Sequence, residues 1–231
     1  MISRVGETGY SILPTGGPGS SQAVSFTPTA TGNMLVVHIG ALSGGRNFTI
    51  SDNIDGIAGW KSAILKDTGS DHVEVFYKEN IPSGITTITI SQDGSSIQWV
   101  ATIAEFSGMG SLVSIDDSDT LVEGGSTNNH TSSASGVSSA SPEVLGLVSG
   151  ILTIAGVECL AGSGWTETPV VPANSSKLFE FQIFTGPVIN ELGAWSNTGT
   201  ARIGVSCIAL LSPTSTQSEL PFRTFIDGKR F

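Results

Sequence analysis

Histidine, serine and acidic residues are the first candidates for chemistry in this sequence, and their spacing does not match that of an enzyme. The three histidines, His38, His72 and His130, are too far apart for the HxH or HxxxH spacing of a local metal site. Ser51-Asp52-Asn53 matches one of three β-lactamase elements, but neither SxxK nor Lys-Thr-Gly accompanies it, and no GxSxG motif occurs. The sequence therefore predicts a protein that is not an enzyme and needs no cofactor.

Two acidic clusters, SDNIDG (51–56) and SIDDSD (114–119), have the composition of calcium-binding loops. Neither follows the ligand spacing of the twelve-residue calcium loop. Serine and aspartate are also common in turns, where their side chains bond to nearby backbone. We predict structural turns at both clusters and no metal site.

Tryptophan is the residue type that most favours a binding function. Trp99 alternates with apolar residues and is predicted to lie in the core, whereas Trp60, Trp165 and Trp195 follow Gly or Ala at loop ends. An exposed indole at such a place could stack on a sugar ring, as in a carbohydrate-binding module or a receptor-binding tail-fibre head. The alternative is that these large apolar side chains cap the ends of a β-sandwich.

The C-terminal segment is basic and aromatic on an otherwise acidic chain. The formal charge of the chain is −10, which disfavours nucleic acid as a partner because phosphate binding needs an excess of Lys and Arg. Apolar and basic side chains near the C-terminus would instead suit an acidic protein surface. The predicted partner-binding residues are Leu220, Phe222, Arg223, Phe225, Ile226, Lys229, Arg230 and Phe231.

Alternating apolar and polar residues predict an all-β fold. In HVEVFYK (72–78), Val73, Val75 and Tyr77 fall on one face, and His72, Glu74 and Lys78 fall on the other, predicting a strand with one solvated face. Other predicted strands are 34–42, 85–91, 97–106, 144–160, 178–184 and 201–211, separated by Gly-, Asn- and Pro-containing turns.

A faint internal repeat organises these strands. In the first half, an apolar strand leads to Gly59-Trp60 and then to two further strands; in the second half, Gly164-Trp165 stands in the same place. Halves of three or four strands cannot easily bury their faces alone, so we predict one sandwich assembled from both. The polar stretch 123–143 is predicted to cross between them.

We therefore predict three parts of the chain: an N-terminal arm (1–21), a β-sandwich domain (22–212) and a C-terminal arm (213–231). Cys159 and Cys207 each lie in an apolar run without a CxxC pattern and are predicted to be buried thiols. The N-terminus has no apolar run of signal-peptide length, and no stretch is long enough to span a membrane, so we expect synthesis in the host cytoplasm.

The sequence also resembles a family of β-sandwich structural proteins of phages and related bacterial surface proteins. The resemblance rests on FTPTATGNMLVVHIG, FTISDN, VEVFYKENIPSGITTITI and WVATIAEFSG, and it covers residues 24–211. It implies a jelly-roll-like antiparallel sandwich of two similar halves in a virion. It further implies a capsid cement or decoration protein, or tail-fibre material, whose partner is the major capsid protein or another virion protein. Capsid symmetry suggests a homo-oligomer, and a trimer is the form that we expect from it. Neither nucleic acid nor a membrane is an expected partner.

Overall fold

The structure of this protein is a computed structural model in which β-strands are the only regular elements of the described residues. The described residues are 1–12, 21–42, 45–94, 97–123, 128–152, 158–168, 177–198 and 204–214. The predicted all-β, sandwich-like fold is therefore confirmed. Within these ranges there is no helix with the length and apolar character that crossing a bilayer requires.

The first half of the chain has the connectivity of a jelly roll. Its sheets have the orders β1-β8-β3-β6-β5 and β2-β7-β4, and all pairings are antiparallel. An eight-stranded jelly roll has the orders 1-8-3-6 and 2-7-4-5, so only β5 has moved to the edge of the other sheet. The strands are β1 (Ser3–Ile12), β2 (Ser21–Ser25), β3 (Met34–Ala41), β4 (Phe48–Asp52), β5 (Trp60–Asp67), β6 (His72–Lys78), β7 (Thr87–Gln92) and β8 (Trp99–Ser107).

The second half repeats this connectivity. Its large sheet has the order β9-β18-β12-β15-β14, and two small sheets, β10-β17-β13 and β11-β16, take the place of β2-β7-β4. The strands are β9 (Val113–Glu123), β10 (Asn129–His130), β11 (Val137–Ser139), β12 (Val144–Leu152), β13 (Cys159–Leu160), β14 (Thr166–Glu167), β15 (Lys177–Phe184), β16 (Val188–Glu191), β17 (Trp195–Asn197) and β18 (Gly204–Pro213). The matching orders support the predicted repeat. Residues 108–112, rather than the predicted stretch 123–143, join the halves.

The four layers enclose three apolar clusters. The central cluster lies between the two large sheets and contains Met34, Phe106, Leu147 and Cys207 among others. This layer pair is the predicted sandwich built from both halves. A second cluster lies between the first large sheet and β2-β7-β4, and a third lies between the second large sheet and the small sheets. Each half therefore also has a core of its own. Cys159 belongs to the third cluster, and both cysteines are buried thiols, as predicted.

The outer layers change the environment of polar residues on the central strands. All seven residues of β6 are buried, so the prediction that His72, Glu74 and Lys78 face solvent is wrong. They face the β2-β7-β4 layer and are paired instead. His72 Nε2 lies 3.2 Å from a carboxylate oxygen of Glu74, and Lys78 Nζ donates to Asp52 Oδ2 at 2.7 Å.

A buried carboxyl group joins two of the motifs on which the family resemblance rests. Glu105, in the Glu-Phe-Ser-Gly motif at the end of β8, is fully buried and accepts hydrogen bonds from the turn that precedes β3. Thr29 N–H donates to Oε2 at 2.8 Å, the Thr29 hydroxyl donates to Oε1 at 3.0 Å, and Asn33 Nδ2 donates to Oε1 at 2.6 Å. The Thr-Ala-Thr-Gly-Asn turn and the Glu of the second motif are thus one structural unit.

The chain termini differ from the predicted arms where the structure describes them. Ser3–Ile12 of the predicted N-terminal arm form edge strand β1, which pairs along β8 from Ser107 to Trp99. At the other end, β18 finishes at Pro213, and Thr214 N–H donates to Leu112 O at 3.0 Å. The rest of the predicted C-terminal arm lies outside the described residues.

His38 and Ser149 occupy equivalent positions in the two halves. His38 pairs in register with Thr102 and Val75, and Ser149 pairs with the matching Cys207 and Phe179. The two side chains meet across the central layer, where His38 Nδ1 lies 2.7 Å from Ser149 Oγ. Both are fully buried, and none of the described residues forms a hydrogen bond with His38 Nε2. Burial lowers the pKa of His38 to about 3, so the ring is neutral.

Candidate binding pocket

The candidate site is an open pocket in the outer layer of the second half. Its volume is about 410 Å³, within the usual range of small-molecule sites. Three short segments line it: 129–131 around β10, 161–163 after β13, and 194–196 at β17. Because β17 pairs with both β10 and β13, one small sheet positions all three segments.

An aromatic pair forms part of the pocket wall. The rings of His130 and Trp195 are stacked, with centroids 4.2 Å apart and planes at 25°. His130 Nε2 lies 2.8 Å from Asn197 Oδ1, which holds the imidazole in this orientation. Behind Trp195, Gly150 of β12 leaves room for the indole, because a Cβ there would lie 3.0 Å from Trp195 Cζ2.

Gly162 sets the distance between two sides of the pocket. A Cβ at this position would overlap the carbonyl oxygen of Ala194, so no other residue fits without moving the backbone. The loop 161–163 can therefore lie directly against the start of β17. Gly162 N–H also donates to Glu180 Oε2 at 3.0 Å, which places the Glu180 carboxyl group directly behind this loop.

Glu180 is the most perturbed acid near the pocket. It is fully buried on β15, and within the described part of the chain its Oε1 has no hydrogen-bond partner. Burial raises the pKa of Glu180 to about 8, and the negative charges of Glu167 and Glu191 add to this effect. At neutral pH the carboxyl group therefore keeps its proton.

Replacing Glu180 with Gln is expected to remove a loss of stability at alkaline pH. The folded-state pKa lies above the unfolded value of 4.5, so the folded protein holds an extra proton between these values, and stability falls as pH rises towards 8. From pH 6 to 8, the free energy of unfolding of the native protein should decrease by roughly 2 to 3 kcal/mol more than that of Glu180→Gln. Urea denaturation at several pH values measures this difference. Parallel curves for the two proteins would contradict the assignment.

Two further buried polar atoms near the pocket have no hydrogen-bond partner among the described residues. They are Nε1 of Trp195, a residue that lines the pocket, and Oγ of Ser132, which follows the lining residue Thr131. Buried polar groups in proteins normally have partners, and groups without one often mark a place for water or an ion. Both atoms belong to the outer layer, whereas Glu180 lies on β15 of the second large sheet.

The predicted sugar-stacking tryptophans are not exposed platforms. Trp165 and Trp195 are buried, with 8% and 3% of their surface accessible. The Trp165 ring packs over Gly146 and contacts Phe184 edge to face, with the two ring centroids 6.1 Å apart. Trp60 is half-buried, and its Nε1 donates to Asp52 Oδ2 at 3.0 Å. The alternative, that these residues cap the sandwich, agrees with their positions.

The first acidic cluster, SDNIDG, is a hydrogen-bonded turn at the end of β4, as predicted. The prediction of a turn at SIDDSD is wrong, because residues 114–119 lie within β9 and pair with β18. Asp52 accepts hydrogen bonds from the N–H groups of Ile54 and Asp55 and forms an ion pair with Lys78. Burial alone would raise the pKa of the Asp52 carboxyl group, but the ion pair and these hydrogen bonds outweigh it, so the pKa is lowered. Asp116 accepts from the hydroxyl groups of Ser114, Ser139, Ser141 and Ser212. Across the part of the chain that the structure describes, no group of three or more His, Cys, Asp or Glu side chains is arranged to hold a metal ion.

The remaining predicted site residues, Leu220, Phe222, Arg223, Phe225, Ile226, Lys229, Arg230 and Phe231, lie outside the described residues. Conversely, sequence reasoning gave no role to Gly162 or Glu180, and it treated His130 as an isolated histidine. The strands that position the pocket, β10, β13 and β17, are only two or three residues long, which is too short to show an alternating pattern. The one available signal was an acidic residue inside the apolar run LFEFQIF.

Comparisons with family models, with curated proteins and with solved structures find no match to this chain. The resemblance to phage structural proteins therefore stays a hypothesis.

Proposed function

We propose that this protein is a non-enzymatic virion structural protein of a phage, a capsid cement or decoration protein that binds the major capsid protein. The observation that carries the proposal is the jelly-roll strand order of each half. Jelly rolls are the fold of many viral capsid domains, although the fold alone does not fix a function.

A non-enzymatic role agrees with where the reactive side chains lie. Ser149 and His38 form a serine–histidine pair, but both are fully buried between the two large sheets, where no substrate can reach them. Cys207 is buried in the same layer, and burial raises the pKa of its thiol to about 12. These groups serve the packing of the two halves.

Docking is assigned to the C-terminal segment on the basis of its sequence. Its apolar side chains, such as Phe222 and Phe225, would each gain about 1.5 to 3 kcal/mol on burial against a shell protein. Arg223, Lys229 and Arg230 would meet acidic partner surface, and several copies on a symmetric shell would bind with higher avidity than one. The described chain ends at Thr214, beside Leu112 in the link between the halves.

Removal of residues 215–231 is expected to abolish binding to the capsid. The test is co-sedimentation of the purified protein with shells of the major capsid protein encoded in the same genome. The full chain should sediment with the shells, and the chain ending at Thr214 should stay in the supernatant while keeping its thermal stability. A chain with Arg223, Lys229 and Arg230 changed to Ser should bind more weakly and with less salt dependence, whereas Lys66→Ser serves as the control.

Failure of the full chain to sediment with these shells would overturn the proposed function. Equal sedimentation of the full and shortened chains would show that the docking surface lies elsewhere, contradicting the role of the C-terminal segment.

A further inference from the structure

We propose that the pocket formed by segments 129–131, 161–163 and 194–196 binds a neutral, hydroxylated ligand of monosaccharide size. This site is separate from the C-terminal segment and goes beyond the proposed capsid docking. The inference follows from the volume of the pocket and from the charge and polarity of its described lining residues.

The charges of the described residues around the pocket disfavour anionic ligands. None of its nine described lining residues carries an acidic or a Lys or Arg side chain. Glu180 lies directly behind Gly162, and Glu167 and Glu191 act on it electrostatically, so the field from these described residues is negative. This field would repel an anionic ligand but not a neutral one.

The polar groups that line the pocket suit a ligand with hydroxyl groups. The described lining residues include Asn129, Thr131, Ser163 and Ser196, whose amide and hydroxyl groups both donate and accept hydrogen bonds. Hydroxyl groups of a ligand do the same, so they can bind here directly or through an ordered water.

The apolar part of the wall suits the C–H face of a sugar ring. Ala161 and Ala194 are apolar lining residues, and the stacked pair of His130 and Trp195 contributes aromatic surface. Because the broad indole face is largely covered, binding would rest on hydrogen bonds within a pocket. It would not depend on stacking upon an exposed tryptophan. This separates the site from a surface tryptophan platform of the kind expected from the sequence.

The test is a ligand-observed NMR titration of the full chain with four neutral sugars: glucose, galactose, mannose and N-acetylglucosamine. We expect at least one of them to saturate with a dissociation constant on the order of 1 mM. N-acetylneuraminate, which carries a carboxylate, should bind at least about tenfold more weakly than the best neutral sugar.

Ala194→Trp tests the location of the site. Ala194 is exposed and lines the pocket, so a bulky side chain there should fill it and weaken binding by at least about tenfold. Ala134→Trp, at an exposed position outside the pocket, is the matched control and should bind like the native protein. Circular dichroism checks that both variants are folded, and Ser163→Trp, at another exposed lining position, replaces Ala194→Trp if that variant is not.

Three results would overturn the proposal. They are the absence of saturation by all four neutral sugars, binding of N-acetylneuraminate as strong as that of the best neutral sugar, and unchanged binding by a folded variant with a filled pocket.

Discussion

Acidification should destabilise the native protein much more than the His38→Gln variant. The folded-state pKa of His38, about 3, lies below the unfolded value of 6.5. The unfolded chain therefore holds an extra proton between these values, and stability is lost as pH falls from 6.5 towards 3. The slope is about 1.4 kcal/mol per pH unit, which amounts to roughly 4 to 5 kcal/mol over the whole window.

The physical reason is the place of His38 at the centre of the layer between the two large sheets. Its ring contacts Ser149 and Phe179, and no carboxylate of the described residues is hydrogen-bonded to it. Gln keeps a hydrogen-bonding group towards Ser149 but cannot gain a proton. The measurement is urea denaturation of both proteins from pH 7 to pH 3.

His72→Gln is the matched control for this experiment. The ring nitrogens of His72 each lie 3.2 Å from a carboxylate oxygen, of Asp67 on one side and Glu74 on the other, unlike those of His38. We expect His38→Gln to gain more resistance to acid than His72→Gln. If the native protein and His38→Gln lost stability in parallel down to pH 4, the assignment to His38 would be wrong.

Glu105→Ala is expected to lower the free energy of unfolding by roughly 3 to 5 kcal/mol. The change removes the acceptor of hydrogen bonds from the Thr29 backbone, the Thr29 hydroxyl and Asn33, of which Asn33 is buried and Thr29 is exposed. Glu105→Gln keeps one carbonyl oxygen and should cost less. Thermal and urea denaturation give the size of the effect.

Glu7→Gln provides the comparison for Glu105. Glu7 forms an ion pair with Arg4 at the partly exposed edge strand β1, so its removal should change stability by less than about 1 kcal/mol. Hydrogen exchange adds a local measurement, because Glu105→Ala should expose the N–H groups of 29–33 before the rest of the first half. Equal effects of Glu105→Ala and Glu7→Gln would contradict the structural role of Glu105.

The long central strands could be predicted from the sequence because their apolar runs extend over seven or more residues. HVEVFYK coincides with β6, and the predicted strand 34–42 matches β3 within one residue. The repeat was also visible, because Trp60 and Trp165 hold matching positions beside β5 and β14.

The outer layer of the second half and the pocket could not be predicted in the same way. Strands such as β10 and β13 have two residues each, too few for a periodic pattern, and tertiary pairing with β17 determines them. This layer also explains why the burial of Glu180 was not predicted from the sequence. Glu180 alternates with apolar residues along its strand, as a solvent-facing residue would. It is buried because the outer layer covers that face of the sheet. Strand β1 was missed because Gly6 and Gly9 interrupt its pattern.

The equivalence of His38 and Ser149 has a consequence for how such a chain can evolve. In a symmetric dimer of one jelly-roll unit, a residue near the two-fold axis would face its own copy, and two identical imidazoles or two identical hydroxyls would have to tolerate each other. Duplication and fusion release that constraint, since each copy then mutates separately. An imidazole in one copy can then pair with a hydroxyl in the other, and the once self-complementary surface becomes a contact between two different partners held in one polypeptide.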